Sequence, residues 1–251
     1  MLAAVEKGDV KKLAELMRQD PGFNVNKDHE DGDGRTLLYV ACREDIPLLL
    51  AHPDIDVNVK NEFGVTAFCL ACANGHTSSV RLLLKDSRVK VNEPTNSGST
   101  PLQLVARDGC LDVIRWWIVS GREMDLGEPG DVEKTDAIGV AEEEGMTEVV
   151  ALLERFKSDA AQTRHAMRVE LGLLDDLAAE MFALVVFVSD GLLQTNDSTT
   201  TTPAARFFNI ARRLPLELQM MLCFRQVGST KEIIAGKESE VAFKELARRL
   251  W

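Results

Sequence analysis

Three stretches of this chain align with one another without a gap: Gly34-Arg-Thr-Leu-Leu-Tyr-Val-Ala-Cys42, Gly64-Val-Thr-Ala-Phe-Cys-Leu-Ala-Cys72 and Gly98-Ser-Thr-Pro-Leu-Gln-Leu-Val-Ala106. Their threonines stand at 36, 66 and 100, with Thr135 as a degenerate fourth, so the steps are 30, 34 and 35 residues. A second marker, Val-Asn, recurs at 25–26, 57–58 and 91–92, and Asp125-Leu126 takes the same place once more. A unit of this length is one supersecondary element, too small to bury its own apolar face. Copies must therefore stack into an elongated array with one continuous core.

Each mark has a physical task. A threonine before an apolar run caps a helix by accepting a backbone N–H that the first turn leaves unpaired. Pro101 suits the first helical position, where no N–H is needed. Ala41, Ala71, Cys72 and Ala106 are small enough for neighbouring helices to approach closely. Gly75 and Gly109 allow a tight left-handed turn into a second helix. That second, outer helix carries Val80/Leu82/Leu83/Leu84, then Val113/Ile114/Trp117/Ile118, then Val149/Val150/Leu152/Leu153.

The pattern resembles the ankyrin repeat, whose period is about 33 residues and whose signature is T-P-L-H-x-A. The resemblance covers about residues 2–157 and implies an all-α solenoid of a truncated first repeat and four further repeats over 1–157; residues 158–251 are expected to form a separate C-terminal helical domain. The first full repeat is four residues shorter than the second, about one helical turn, so its apolar face stays in phase; Pro47 is expected to start a short outer helix. In the fourth repeat Asp136 replaces proline, and one acidic residue reads as inserted near Glu142–Glu144. Ala4-Val5-Glu-Lys-Gly8 enters the pattern midway, which suggests an incomplete cap or a shortened start.

The resemblance implies an adaptor that binds another protein through the concave ankyrin face, at hairpin tips and the exposed ends of inner helices. The resemblance carries that role to Asp33, Arg35, Arg43 and Glu44; to Glu62, Phe63, Val65 and Asn74; to Ser97, Ser99, Arg107 and Asp108; and to Lys134, Glu142 and Glu143. Phe63 is the sharpest candidate, an aromatic at a tip where solvent is expected. The competing reading has its ring packed on a neighbouring hairpin. The charged members have solvation as their plain alternative.

Composition narrows the class of partner. Residues 1–157 carry a net charge of about −10, residues 158–205 about −5 and residues 206–251 about +4. An acidic body repels phosphate backbones, and Arg212-Arg213 and Arg248-Arg249 are pairs rather than a patch, so the expected partner is a protein and not nucleic acid. Hydrophobic residues make up 45% and aromatics only 6%, which favours small-residue helix packing over a β-sandwich. The longest apolar run, Met181–Val188, is far shorter than the ~20 residues of a membrane span. Five cysteines, an odd number, with no basic start or apolar leader after Met1, point to reduced thiols in a cytoplasmic or nuclear setting; a monomer is expected.

Chemistry-bearing patterns are weak. Cys69 and Cys72 form a C-x-x-C, but both fall on one inner helix and no second pair completes a zinc site, so packing is the expected role. Asp28, Glu30, Asp31 and Asp33 lack the acidic residue that would close a calcium loop. His29, His52, His76 and His165 stand near no nucleophile, and His76 is the family's usual structural histidine. Gly127-Glu-Pro-Gly130 is a turn, not a phosphate loop. Asn196-Asp-Ser198 matches a glycosylation sequon that such a compartment would leave unused. No cofactor, no metal and no enzymatic activity are expected.

Beyond Lys157 the repeat ends. Helices are expected over 159–171, 175–193, 203–213, 215–225 and 237–250, with Thr195–Thr202 a polar loop, either a plain linker or a phosphorylated segment. The first of these helices, with Ala160, Ala161, Met167 and Leu171, is expected to cover the last repeat. Leu214-Pro-Leu-Glu-Leu218, Leu222, Ala242-Phe-Lys-Glu-Leu246 and Leu250-Trp251 resemble an F-box, which docks on the adaptor of cullin ubiquitin ligases. That resemblance would make the protein a substrate receptor; the alternative is a structural helical domain.

Overall fold

The computed structural model describes residues 10–20, 24–26, 36–41, 49–52, 54–127, 136–193, 203–229, 234 and 236–250. Every regular element among them is a helix. The chain divides into two compact units, Met1–Met167 and Arg168–Trp251.

The first unit contains α1 (Val10–Gln19), α2 (Leu37–Ala41), α3 (Ala67–Ala73), α4 (Thr77–Lys85), α5 (Pro101–Arg107), α6 (Leu111–Ser120), α7 (Ala137–Glu143), α8 (Thr147–Ser158) and the start of α9 (Ala160–Glu170). Helices α3/α4, α5/α6 and α7/α8 are the paired inner and outer helices of successive repeats. The inner helices α2, α3, α5 and α7 pack in a row, and the outer helices α4, α6 and α8 form a second row behind them. Pro47 and residues 27–35 lie outside the described residues.

The inner helices start where the repeat places a short oxygen-bearing side chain. Thr66 Oγ1 accepts from Cys69 N at 3.1 Å, and Thr100 Oγ1 from Gln103 N at 3.3 Å. Gln103 Oε1 accepts in return from Thr100 N at 2.8 Å, which completes a capping box. In the fourth repeat the cap is Asp136, not Thr135: its Oδ1 accepts from Gly139 N at 2.8 Å, and the helix begins at Ala137. This corrects the sequence register. Thr66 to Gly75, Thr100 to Gly109 and Asp136 to Gly145 are each nine residues, so the extra residue precedes the cap and nothing is inserted near Glu142–Glu144.

Apolar side chains then fill both rows. Phe68, Leu83, Leu102, Ile114, Trp117 and Ile118 are at most 1% exposed. Trp117 meets Phe68 edge-on, with centroids 5.1 Å apart, and its Nε1 donates to Glu123 O at 3.2 Å. Burial of these large side chains is the main driving force, each contributing about 1.5–3 kcal/mol. Cys69 and Cys72 are buried among them and form no disulfide.

Polar clamps fix one repeat on the next. The Val-Asn asparagines form a ladder: Asn26 Nδ2 donates to Asp54 O at 2.7 Å and its Oδ1 accepts from Asp56 N at 2.7 Å. Asn58 repeats both bonds one unit along, to Arg88 O at 2.9 Å and from Lys90 N at 2.8 Å. Asn92 accepts from Asp125 N at 3.2 Å. Arg122 adds a bond to Asp86 O at 2.8 Å and another to Val89 O. The guanidinium of Arg81 lies 3.7 Å from the Trp116 ring centroid, a cation–π contact between two outer helices.

Helix α9 is bonded to two outer helices. Thr163 Oγ1 donates to Arg155 O at 3.0 Å and Arg164 Nε donates to Ile118 O at 3.0 Å. Met167 and Thr163 are buried, whereas Ala161, expected to help cover the repeat, is exposed.

The second unit is built around α10 (Leu174–Ser189), against which α11 (Pro203–Ala211), α12 (Leu216–Gln226) and α13 (Gly236–Leu250) pack. Ala178, Ala179, Ala183 and Val185 present a small-residue surface. Phe182 and Phe187 meet Phe243 edge-on at 6.1 and 5.7 Å. Its elements follow the expected boundaries to within a few residues. No helix among the described residues is long and apolar enough to cross a membrane.

Candidate functional site

The surface at issue is the line of hairpin tips and inner-helix ends. The tip before α3 is an Asx turn: Asn61 Oδ1 accepts from Phe63 N at 3.0 Å and Val65 N at 2.9 Å, while Gly64 N donates to Asn61 O at 2.9 Å. The tip before α5 closes in the same way around Thr95, with Thr95 N donating to Ser99 O at 3.0 Å and Gly98 N to Thr95 O at 2.9 Å.

These two tips are bonded to each other. Asn96 N donates to Phe63 O at 3.0 Å and Asn96 Nδ2 to Glu62 O at 2.8 Å. The approach is so close that a Cβ on Gly64 would stand 2.4 Å from Asn96 Oδ1, and the backbone there has φ +74°, so only glycine fits. Asn96 is a residue that the sequence reading missed. Its signal was present, an asparagine one repeat after Glu62, but the bond joins residues 34 apart.

On this rigid base the Phe63 side chain is 62% exposed. Its ring is therefore not packed away on the next hairpin. Glu62 and Ser97 are exposed beside it, and Val65 and Ser99 are half-buried at the start of the inner helices. At the far ends of the helices, Asn74 and Asp108 are the C-terminal caps of α3 and α5. Asn74 Nδ2 also donates to Leu70 O at 2.9 Å. Arg107 and Asp108 share two hydrogen bonds of 2.9 and 3.2 Å, and these raise the Arg107 pKa.

Glu142 and Glu143 are exposed at the end of α7. With Asp136 as the cap, the position equivalent to Asn74 and Asp108 is Glu144, the C-terminal cap of α7, and Glu142 aligns with the buried Ala106. The constant cap-to-glycine distance was the signal that would have found Glu144. Asp33, Arg35, Arg43, Glu44 and Lys134 lie outside the described residues.

The model for ankyrin repeats, three copies, matches residues 1–93 and 44–127, which together make up half of the chain. The chain belongs to the ankyrin-repeat family. Ankyrin repeats are protein-binding units, so its coarse function is protein–protein interaction. The chain is similar to Rabankyrin-5 of Homo sapiens, 28% identical over 100 residues, covering 38% of this chain and 9% of that protein. It is similar to the probable E3 ubiquitin-protein ligase XBOS33 of Oryza sativa subsp. japonica, 30% identical over 117 residues, 46% of this chain and 22% of that protein. The putative ankyrin repeat protein YahD of Escherichia coli is 33% identical over 97 residues, 36% of this chain and 46% of that protein. The chain thus spans less than half the length of each of these relatives.

The described cysteines are buried or partly buried, and the thiols of Cys69, Cys110 and Cys223 are held protonated. Burial pushes the Cys69 thiol up to about 11, outweighing the nearby Lys60 charge, and burial alone pushes Cys223 up to about 12. Cys110 is raised as well, by burial and then by Asp108. No group of three His, Cys, Asp or Glu side chains among the described residues converges as a metal site would require. The Asp28–Asp33 cluster lies outside them.

Proposed function

We propose that this chain is an adaptor that recognises another protein through the hairpin tips and inner-helix ends of its ankyrin stack, with residues 158–251 as a structural helical domain. The observation that supports this reading is Phe63, a large aromatic held 62% exposed on a tip whose backbone is fixed by Asn61 and Asn96. A preorganised aromatic forms a contact at low entropic cost, and interface energy concentrates in such anchors. Glu62, Ser97 and Ser99 supply a polar rim around it. The reading involves no catalytic step and no cofactor, and it assigns the chain to the cytosol or nucleus as a monomer.

The experiment is affinity capture from cell extract with the full chain and with Phe63→Ala. Partners retained by the wild type and lost by a variant of unchanged melting temperature support the tip. Equal capture by both removes it.

A second reading, a substrate receptor of a cullin-type ubiquitin ligase, is favoured by α12. Leu216 and Leu218 are 53% and 45% exposed there, while Leu214 and Leu222 are half-buried. An F-box-like segment needs accessible leucines to dock on its adaptor. Trp251 lies outside the described residues. Co-purification with the cullin-ligase adaptor, abolished by Leu218→Glu, supports this reading; no association refutes it.

A further inference from the structure

In a stack of repeats, each turn glycine is covered by the residue that follows the next turn glycine. A Cβ built on Gly75 would meet Cys110 Sγ at 3.0 Å, and one on Gly109 would meet Met146 Sδ at 2.6 Å. The third glycine of the series, Gly145, has nothing within 4 Å. The seat that a further repeat would fill on α7/α8 is open.

That seat is not simply polar. A cavity of about 270 Å³ lies there, lined by Ala141, Met146, Val150 and Ala151 and flanked by Glu142 and Glu154. In the preceding repeat the residues equivalent to Glu142, Val150 and Glu154 are Ala106, Ile114 and Ile118, all at most 1% exposed under their neighbour. The fourth repeat therefore keeps the apolar centre and replaces its two edges with carboxylates. Glu143, Glu144 and Glu148 are also exposed close by along the chain. On α8, Lys157 pairs with the α7 cap Asp136 at 3.6 Å.

We infer that the open end of the α7/α8 repeat docks a basic amphipathic helix from another protein. Such a helix inserts a large apolar side chain against Met146 and Val150 and sets Lys or Arg, one turn to either side, on Glu142 and Glu154. A helix is the matching element because the seat is shaped to receive the helix pair of a next repeat, and its i, i+3 and i+4 side chains reach both parts of the seat. The choice of a basic partner follows from the rim: carboxylates on both sides of an apolar pocket repel an acidic helix and attract a cationic one.

The test uses the full chain and two synthetic helical peptides of about 18 residues, long enough to hold one amphipathic face. Both carry the same leucine face; one is flanked by lysines and the other by glutamates. The lysine peptide is expected to bind in fluorescence anisotropy, and raising salt from about 50 to about 500 mM weakens it. Glu142→Lys/Glu154→Lys, two surface changes, weakens it by roughly tenfold or more. A photo-crosslinker placed at Ala151 is expected to capture the lysine peptide. Equal binding of both peptides, no binding of either, or no effect of the charge reversal overturns the inference. Cross-links only to residues 168–251 of the same chain, or only to a second copy, also overturn it, because the seat then has a different occupant.

Discussion

Replacing Asn58 with alanine measures how much the asparagine ladder contributes to the joint between the first and second full repeats. The side chain makes two bonds across that joint, donating to Arg88 O at 2.9 Å and accepting from Lys90 N at 2.8 Å. A typical intramolecular hydrogen bond has a net worth of about 0.5–1.5 kcal/mol. Both groups lie at the solvent edge, where water can replace the lost partner, so each falls in the lower half of that range. The expected loss for Asn58→Ala is therefore about 1–2 kcal/mol. Asn92 is the internal control, since among the described residues its side chain spans the next joint with one bond, at 3.2 Å. Asn92→Ala should cost about 0.5 kcal/mol. Asn58→Asp keeps the acceptor for Lys90 N but loses the donor to Arg88 O, so it should fall between the wild type and the alanine variant. Urea unfolding followed by tryptophan fluorescence reads this well in a Trp251→Phe background, because Trp116 and Trp117 both lie on α6 within the stack. Amide exchange at Lys90 should accelerate in Asn58→Ala and not in Asn92→Ala. If Asn92→Ala costs as much as Asn58→Ala, or Asn58→Ala costs under about 0.3 kcal/mol, the ladder is ornamental and the stack rests on apolar packing alone.

Three further outcomes are expected. Ala71 is fully buried between inner helices, so Ala71→Leu should overpack them and cost about 1–3 kcal/mol in chemical denaturation; a change of a few tenths would mean that the row is not tightly stacked there. With its pKa near 11 against an ordinary 9.0, Cys69 has a thiolate fraction about a hundredfold below that of a free thiol at pH 8, so native-state alkylation should be slow and a chelator should leave the melting temperature unchanged; rapid labelling of Cys69, or one tightly held zinc per chain, would contradict its packing role. Burial raises the Asp86 carboxyl, but two hydrogen bonds and the charge of Arg88, with Arg122 behind it, outweigh that and hold it below the ordinary value. Its stabilising contribution is therefore complete above the unfolded pKa of about 3.9 and is lost as pH falls through the lower folded value, so Asp86→Asn should flatten the stability profile below about pH 4; an unchanged slope there would show that the pair does not stabilise the fold.

Much of the stack was legible because its decisive bonds are local. A threonine three residues before its N–H partner, a proline at the first helical position and a glycine nine residues after the cap can all be read along the chain. What sequence could not supply were bonds between residues one repeat apart. Asn96 holds the tip at Glu62 and Phe63, and Arg122 holds the Asp86–Val89 turn; neither pairing leaves a mark in its own neighbourhood. The second unit was legible as helices for the same local reasons. Its core was not, because Phe243 meets Phe182 and Phe187 across more than fifty residues with no repeat to announce the pairing.

The fourth repeat shows why the remaining misreading occurred and what it concealed. Thr135 and Asp136 are adjacent, and either side chain is chemically able to cap a helix. Aligning threonine with threonine forces an extra residue into α7 and turns Glu142–Glu144 into an insertion. Aligning by helix length places Asp136 as the cap and leaves α7 with the same seven residues as α3 and α5. The physical constraint is the stronger guide. Each inner helix must stack against its neighbour along its whole length, so length is held while capping chemistry varies. Once that register is applied, Glu142 occupies a position that is Ala106 and Cys72 in the two preceding repeats, both fully buried. A carboxylate there is incompatible with another repeat of the same kind, which would bury it unpaired at a cost of several kcal/mol. Val150, in the place of Ile114, would have suited such a repeat well. The end of the stack therefore refuses an apolar copy of itself while retaining an apolar centre, a combination that selects for a partner bringing its own positive charge.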